Sequence, residues 1–153
     1  MIEIVLKIDN TATVVPNTTP QTILVTAGNL LPVAKELHTN PQTYFDQLSC
    51  VTGIDNGPEA KTMEVIYHLY SIPYNSSLAL KVVLSRDKLI VPTLSSVWKS
   101  ANWLERETYD MYGILFEGHP DLRRILMPAD WEGYPLRKDY KEQEKYREIQ
   151  VKY

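Results

Sequence analysis

Residues 63–85, MEVIYHLYSIPYNSSLALKVVLS, decide the fold class. Met63, Val65, Tyr67 and Leu69 alternate with Glu64, Ile66, His68 and Tyr70, so a strand here turns one apolar row inward. Leu80, Val82 and Leu84 alternate in the same way with Ala79, Lys81 and Val83. Between the two runs, Pro73-Tyr74-Asn75-Ser76-Ser77 is turn chemistry, which makes Met63 to Ile72 and Leu78 to Ser85 a hairpin. An antiparallel sheet with one apolar face needs other elements to cover that face.

Upstream, Ile2, Ile4, Leu6 and Ile8 alternate with Glu3, Val5 and Lys7 and predict a further strand. Thr11 to Pro20 reads as a loop, and Thr22 to Val25 as a short strand. Asn29 is placed to cap a helix whose stripe is Leu30, Leu31, Val33, Ala34 and Leu37. Pro32 sits in its first turn, where a missing N–H costs little, and Asn40-Pro41 ends it. Tyr44 to Thr52 leans towards β structure and is closed by the turn signal Gly53 to Pro58.

Downstream, Arg86-Asp87-Lys88 is a polar turn and Leu89 to Pro92 a short extended piece. Thr93 to Tyr112 has helical periodicity, with Leu94, Val97, Trp98, Ala101, Leu104, Thr108, Met111 and Tyr112 on one arc and Gly113 as its stop. Ile114 to Tyr140 has neither period. The sum is an α+β chain: a small, mostly antiparallel mixed sheet with helices packed on one face, plus an extended irregular C-terminal arm. Residues 1–113 form the domain and 114–153 the arm and tail, of which Lys141 to Tyr153 reads as solvated or as ordering on a partner.

Composition narrows the function. A hydrophobic share of 44% with 23% charged residues is that of a globular protein. A net charge of −3 argues against general nucleic-acid binding, which needs a basic face. Cys50 is the single cysteine, expected to be a small buried hydrophobe; one thiol can complete neither a disulfide nor a cysteine metal site. No apolar run approaches the roughly 18 residues of a membrane span, and the start lacks the basic flank of a signal peptide. A cytosolic location is expected, with membrane association only through a partner.

On the helix, Glu105 falls within the apolar arc, where an unpaired carboxylate is costly. It either leans out or pairs with an arginine of the same domain; Arg123 or Arg124 would pin the following segment onto the helix. Trp103 falls on the opposite face beside Lys99, Arg106, Glu107 and Asp110. It is either covered by the chain's own arm or left for a partner, since interfaces favour tryptophan with arginine. Arg106 and Asp110 form an i, i+4 pair of the kind found on solvated faces.

Irregular segments as long as Ile114 to Tyr140 are uncommon in compact domains and usually functional. Phe116, Leu122, Ile125, Leu126, Met127, Trp131, Tyr134 and Leu136 are its candidate anchors. Asp121, Arg123, Arg124, Asp130, Arg137, Lys138 and Asp139 are candidate pairing residues. His119 precedes Pro120 and shares no ligand spacing with His38 or His68, so a hydrogen-bonded structural role is expected rather than a base or metal ligand.

The run Glu105-Arg106-Glu107, Tyr109-Asp110-Met111-Tyr112-Gly113-Ile114, Phe116, Gly118 to Leu126, Asp130-Trp131, Gly133 and Pro135 to Tyr140 resembles the signature of the 30 kDa (C) subunit family of respiratory complex I, NADH–quinone oxidoreductase. The resemblance implies a non-catalytic peripheral-arm subunit that holds the quinone-site (D) subunit against the cluster-bearing subunits. It implies a place on the cytoplasmic face of the inner membrane, in a proton-translocating complex that uses FMN, iron–sulfur clusters, NADH and a quinone, none bound by this chain. Related subunits of energy-converting membrane-bound hydrogenases share much of the signature. An independent hydrolase built on Glu105, Glu107 or His119 is the remaining alternative. Ile2 to Pro20 matches no part of the family pattern.

Overall fold

A computed structural model of the chain describes residues 1–151. The hairpin is strands β4 (Thr62–Ser71) and β5 (Ser76–Ser85), paired antiparallel from Thr62 opposite Ser85 to Ser71 opposite Ser76. Its inward row, Met63, Val65, Tyr67 and Leu69 with Leu78, Leu80, Val82 and Leu84, is buried, as the alternation requires. β3 (Gln47–Asp55) lies antiparallel on the β4 side, while β2 (Thr22–Leu24) pairs parallel with β5 and antiparallel with β1 (Thr13–Val15). The sheet order is β1-β2-β5-β4-β3. Helices α2 (Leu30–Thr39) and α3 (Ala101–Tyr112) cover the apolar face: Leu30, Val33, Ala34, Leu37 and Ala101 join the sheet residues in one core. The chain is α+β with a mixed, mostly antiparallel sheet.

Several local expectations are corrected. The alternating start forms helix α1 (Ile2–Leu6), packed beside α2, and not a strand. Five residues are too few for period alone to separate the two, and Val5 supplies the buried contact. Within Thr11 to Pro20, Thr13–Val15 is an edge strand. β3 runs three residues past Thr52, because Gly53 lets the Tyr112 ring lie on the strand: a Cβ there would meet Tyr112 Cδ2 at 2.6 Å. Cys50 is exposed, since a bulge between Leu48 and Cys50 turns two consecutive residues outward.

The helix expected from Thr93 begins only at Ala101. Thr93 N–H is already engaged with Glu117 O, continuing a parallel pair made by β6 (Ile90–Pro92) and β7 (Leu115–Glu117). Leu94 N–H is held by the Glu105 carboxylate at 2.7 Å. The turns between them still bury Leu94 and Trp98, whose indole N–H donates to Phe45 O at 3.0 Å. Past β7, the tail closes as a small hairpin of β8 (Lys145–Tyr146) and β9 (Ile149–Gln150); Lys152 and Tyr153 lie outside the described residues.

Candidate functional site

The outer side of α3 and the arm laid along it form the candidate site. Asp110 organises it. One carboxylate oxygen of this fully buried residue accepts three successive backbone N–H groups, from Ile125 (2.9 Å), Leu126 (2.7 Å) and Met127 (2.9 Å). The other accepts Arg124 Nη1 at 2.7 Å. Burial raises the cost of the charge, but the Met127, Arg124, Ile125 and Leu126 donors outweigh it and hold the carboxyl below its ordinary range. Arg124 then spans the arm, donating to Trp131 O at 3.0 Å and Gly133 O at 2.8 Å. One turn earlier on α3, Arg106 donates to the carbonyls of Arg123 (3.2 Å) and Arg124 (3.3 Å). Arg106 and Asp110 thus divide the arm's backbone between them, the cation taking carbonyls and the anion taking N–H groups. That corrects the solvated-pair reading: both are buried.

A second clamp sits at the helix end. Gly113 caps α3 in the left-handed conformation, φ 73°, as the sequence predicts. The arm satisfies the last carbonyls: Leu136 N–H donates to Met111 O and Arg137 Nε to Tyr112 O, at 3.1 and 2.6 Å. The Tyr134 ring lies between two guanidiniums, 4.4 Å from Arg137 and 5.2 Å from Arg124. A third clamp joins arm and sheet. Asp55 accepts Lys138 N–H and Gly57 N–H, each at 2.8 Å, and Arg86 reaches both Asp55 (3.3 Å) and Asp139 (2.8 Å).

Glu105 is fully buried and meets no arginine, which corrects both sequence readings of it. It holds Thr93 and Leu94, on the segment before α3, instead of the arm. His119 lies 4.0 Å from it, with Nε2 3.1 Å from Asn102 O and Nδ1 accepting Asp121 N–H at 3.0 Å. Asp121 and Arg123 pair at the surface, as do Asp130 and Arg147; Glu107 is exposed. Trp131 donates to Tyr140 Oη at 3.0 Å and meets the Tyr146 ring at 5.3 Å.

Three large apolar side chains remain outside: Trp103 (60% exposed), Leu126 (61%) and Leu136 (53%). The arm does not cover Trp103; Arg106 lies over its ring at 5.0 Å. Leu126 is tied to Asp110 and Leu136 to Met111, about two turns along α3 from Trp103, so the three follow the seam between helix and arm. Sequence reasoning missed Asp55, Arg86, Thr93 and Tyr134 as partners here. The Asx-turn signature Asp55-Asn56-Gly57 was available for the first, but nothing local marks Arg86 as its partner. Among the described residues, no group of three or more His, Cys, Asp or Glu is placed to hold a metal ion.

A family model described as respiratory-chain NADH dehydrogenase, 30 Kd subunit, matches residues 23–146. The C subunit of NADH-quinone oxidoreductase from Chlorobium phaeobacteroides is 47% identical over 122 residues, covering 79% of this chain and 73% of that protein. The C/D subunit of NADH-quinone oxidoreductase from a Psychrobacter species is 46% identical over 126 residues, covering 78% of this chain but 21% of the longer one. Among solved structures, the trypsin-resistant fragment of Nqo5 superposes with a TM-score of 0.65 at 27% identity, covering 79% of this chain and 96% of that one. A chain of the membrane-bound sulfane sulfur reductase, an archaeal respiratory membrane complex, gives 0.72 at 25% identity, covering 92% and 83%. The signature read along α3 and the arm is therefore that of a known family, and the chain belongs to the 30 kDa subunit family of respiratory-chain NADH dehydrogenase.

Proposed function

We propose that the chain is the 30 kDa (C) subunit of a proton-translocating NADH–quinone oxidoreductase, a non-catalytic scaffold that holds the quinone-site (D) subunit in register with the cluster-bearing subunits. The observation that carries this reading is the seam. Its charged residues are spent on fixing the arm, and the row Trp103, Leu126 and Leu136 is left facing outward with no role in the core. Exposed aromatics and leucines set among paired charges make a docking surface, in which a few apolar anchors supply most of the affinity. Relatives in which the C and D subunits are fused support the D subunit as a neighbour, since fusion requires the two to sit side by side.

The residues suit scaffolding better than redox chemistry. An iron–sulfur cluster needs several thiolates, and Cys50 stands alone. The chain takes no step of electron transfer on this reading; flavin, clusters and quinone belong to its partners. In the described residues no helix is long and apolar enough to cross a membrane, so attachment to the cytoplasmic face of the inner membrane would run through the complex.

Residues 1–113 serve as the folded platform and 114–153 as the arm. Trp103, Glu107, Asp121, Arg123, Asp130 and Trp131 face partners. Glu105, Arg106, Asp110, His119, Arg124, Arg137, Lys138 and Asp139 set the platform and arm on which those stand. Deleting the chain should leave the complex unassembled, with the D subunit absent from the membrane fraction. An isolated chain that binds flavin or iron, or reduces quinone, would contradict the reading. The likeness to a sulfane sulfur reductase chain favours one second reading, the equivalent component of an energy-converting membrane-bound hydrogenase or related complex. The proteins that co-purify with the native chain decide between them.

A further inference from the structure

Glu105 sits at the end of a hydrogen-bond chain that leads out of the core. Its Oε1 accepts Leu94 N–H at 2.7 Å, and its Oε2 lies 2.5 Å from Thr93 Oγ1. Thr93 Oγ1 also accepts Ser95 N–H at 3.1 Å and lies 2.9 Å from Ser95 Oγ. A hydroxyl has one proton and two lone pairs. Ser95 N–H uses one lone pair of Thr93, so the other lone pair and the single proton must serve Glu105 and Ser95, one each.

Two arrangements satisfy every contact. In the first, a neutral Glu105 donates its proton to Thr93, and Thr93 donates to Ser95. In the second, an ionised Glu105 accepts from Thr93, and Thr93 accepts from Ser95. They interconvert with proton balance. Glu105 gives its proton to Thr93 Oγ1, the proton of Thr93 passes to Ser95 Oγ, and that of Ser95 leaves to solvent, which half-buried Ser95 can meet. We propose that Glu105, Thr93 and Ser95 are a proton-exchange chain that makes the turn into α3 pH-sensitive.

Two other titratable groups face the carboxyl. Tyr67 of β4 is fully buried with its hydroxyl unpartnered, and burial followed by the Glu105 charge holds that phenol well above its ordinary range. His119, from the loop after β7, accepts Asp121 N–H at Nδ1, so its proton is on Nε2 and is given to Asn102 O. Neither is a cation in this arrangement. Burial pushes the Glu105 carboxyl up to about 7, against the pull of Thr93 and Leu94. Stability supplied by neutral Glu105 is therefore complete below the ordinary carboxyl range and is lost as pH rises through about 7.

Glu105→Gln copies the neutral state, since the amide can donate to Thr93 and accept from Leu94. In the full chain, the thermal midpoint of wild type should fall relative to Glu105→Gln as pH rises from about 5 to about 8. Parallel pH curves, or a Gln variant equally weakened at every pH, would overturn the proposal. Infrared spectroscopy of wild type gives a readout that needs no variant to fold. A carboxylic-acid carbonyl band should be present near about pH 6 and gone by about pH 9, and its absence at the lower pH would contradict a neutral Glu105. In Thr93→Val the band should still titrate, but its shift on transfer to heavy water should slow. An unchanged exchange rate would remove the chain as the proton's route.

Discussion

Asp110 shows how one side chain can fix a segment that has no secondary structure. Three consecutive N–H groups converge on a single oxygen, so the peptide planes of Ile125, Leu126 and Met127 are set without a helix or strand. Asp110→Ala strands Arg124 and all three donors together. Removing one partner of a buried ion pair costs about 3–5 kcal/mol, and denaturant unfolding should show a loss of that size; a loss within about 0.5 kcal/mol, typical of surface sites, would show that the arm is held elsewhere. Asp9 plays a similar part at the other end of the chain. Burial opposes its charge, but donors from Thr11 and Thr26 hold it down to about 2. For a depressed carboxyl, stability is present above the ordinary pKa and lost as pH falls through the folded one. Wild type should therefore lose roughly 2 kcal/mol relative to Asp9→Asn between about pH 5 and pH 2, read from urea titrations at each pH. Equal losses in both proteins would contradict this.

At the scale of elements, α3 is a plate with two working faces. Leu94, Trp98, Ala101 and Glu105 meet the core, while Arg106, Asp110 and the helix C-terminus meet the arm. Gly113 is where the plate ends and the arm turns back. A Cβ there would lie 2.5 Å from both Tyr134 Cε2 and Arg137 Nη2, in a left-handed conformation that costs other residues about 1–2 kcal/mol by itself. Gly113→Ala should lower stability by at least that much and expose the arm to trypsin near Arg123 and Arg124; an unchanged digestion pattern would speak against the coupling. These elements were unevenly legible in the sequence. The β4–β5 hairpin, α2 and the stop at Gly113 were plain, because alternation, helical stripe and a left-handed glycine are local signals. The true start of α3 was not, because it depends on Glu105 capturing Leu94 N–H from eleven residues away. The i, i+4 spacing of Arg106 and Asp110 was visible, but not that each would take opposite poles of a distant backbone. Ile2 to Leu6 misled because so short an apolar run fits either period.

The whole molecule is a sheet-and-helix platform that carries an ordered strap. Asp55, Arg86 and Asp139 tie the strap to the sheet, and Tyr134 ties it to the helix end between two arginines. With the charged residues occupied in this way, the outward row Trp103, Leu126 and Leu136 is what the surface offers to a neighbour. Truncating such anchors costs binding without costing the fold, since each is more than half exposed. The most direct measurement is affinity purification of the complex from membranes through a tag on this chain, comparing wild type with Trp103→Ala/Leu126→Asp. The account predicts that the double variant folds with an unchanged thermal midpoint yet recovers at least about tenfold less of the quinone-site and cluster-bearing subunits, about 1.4 kcal/mol of lost affinity. Undiminished recovery of those subunits with the folded double variant would contradict it.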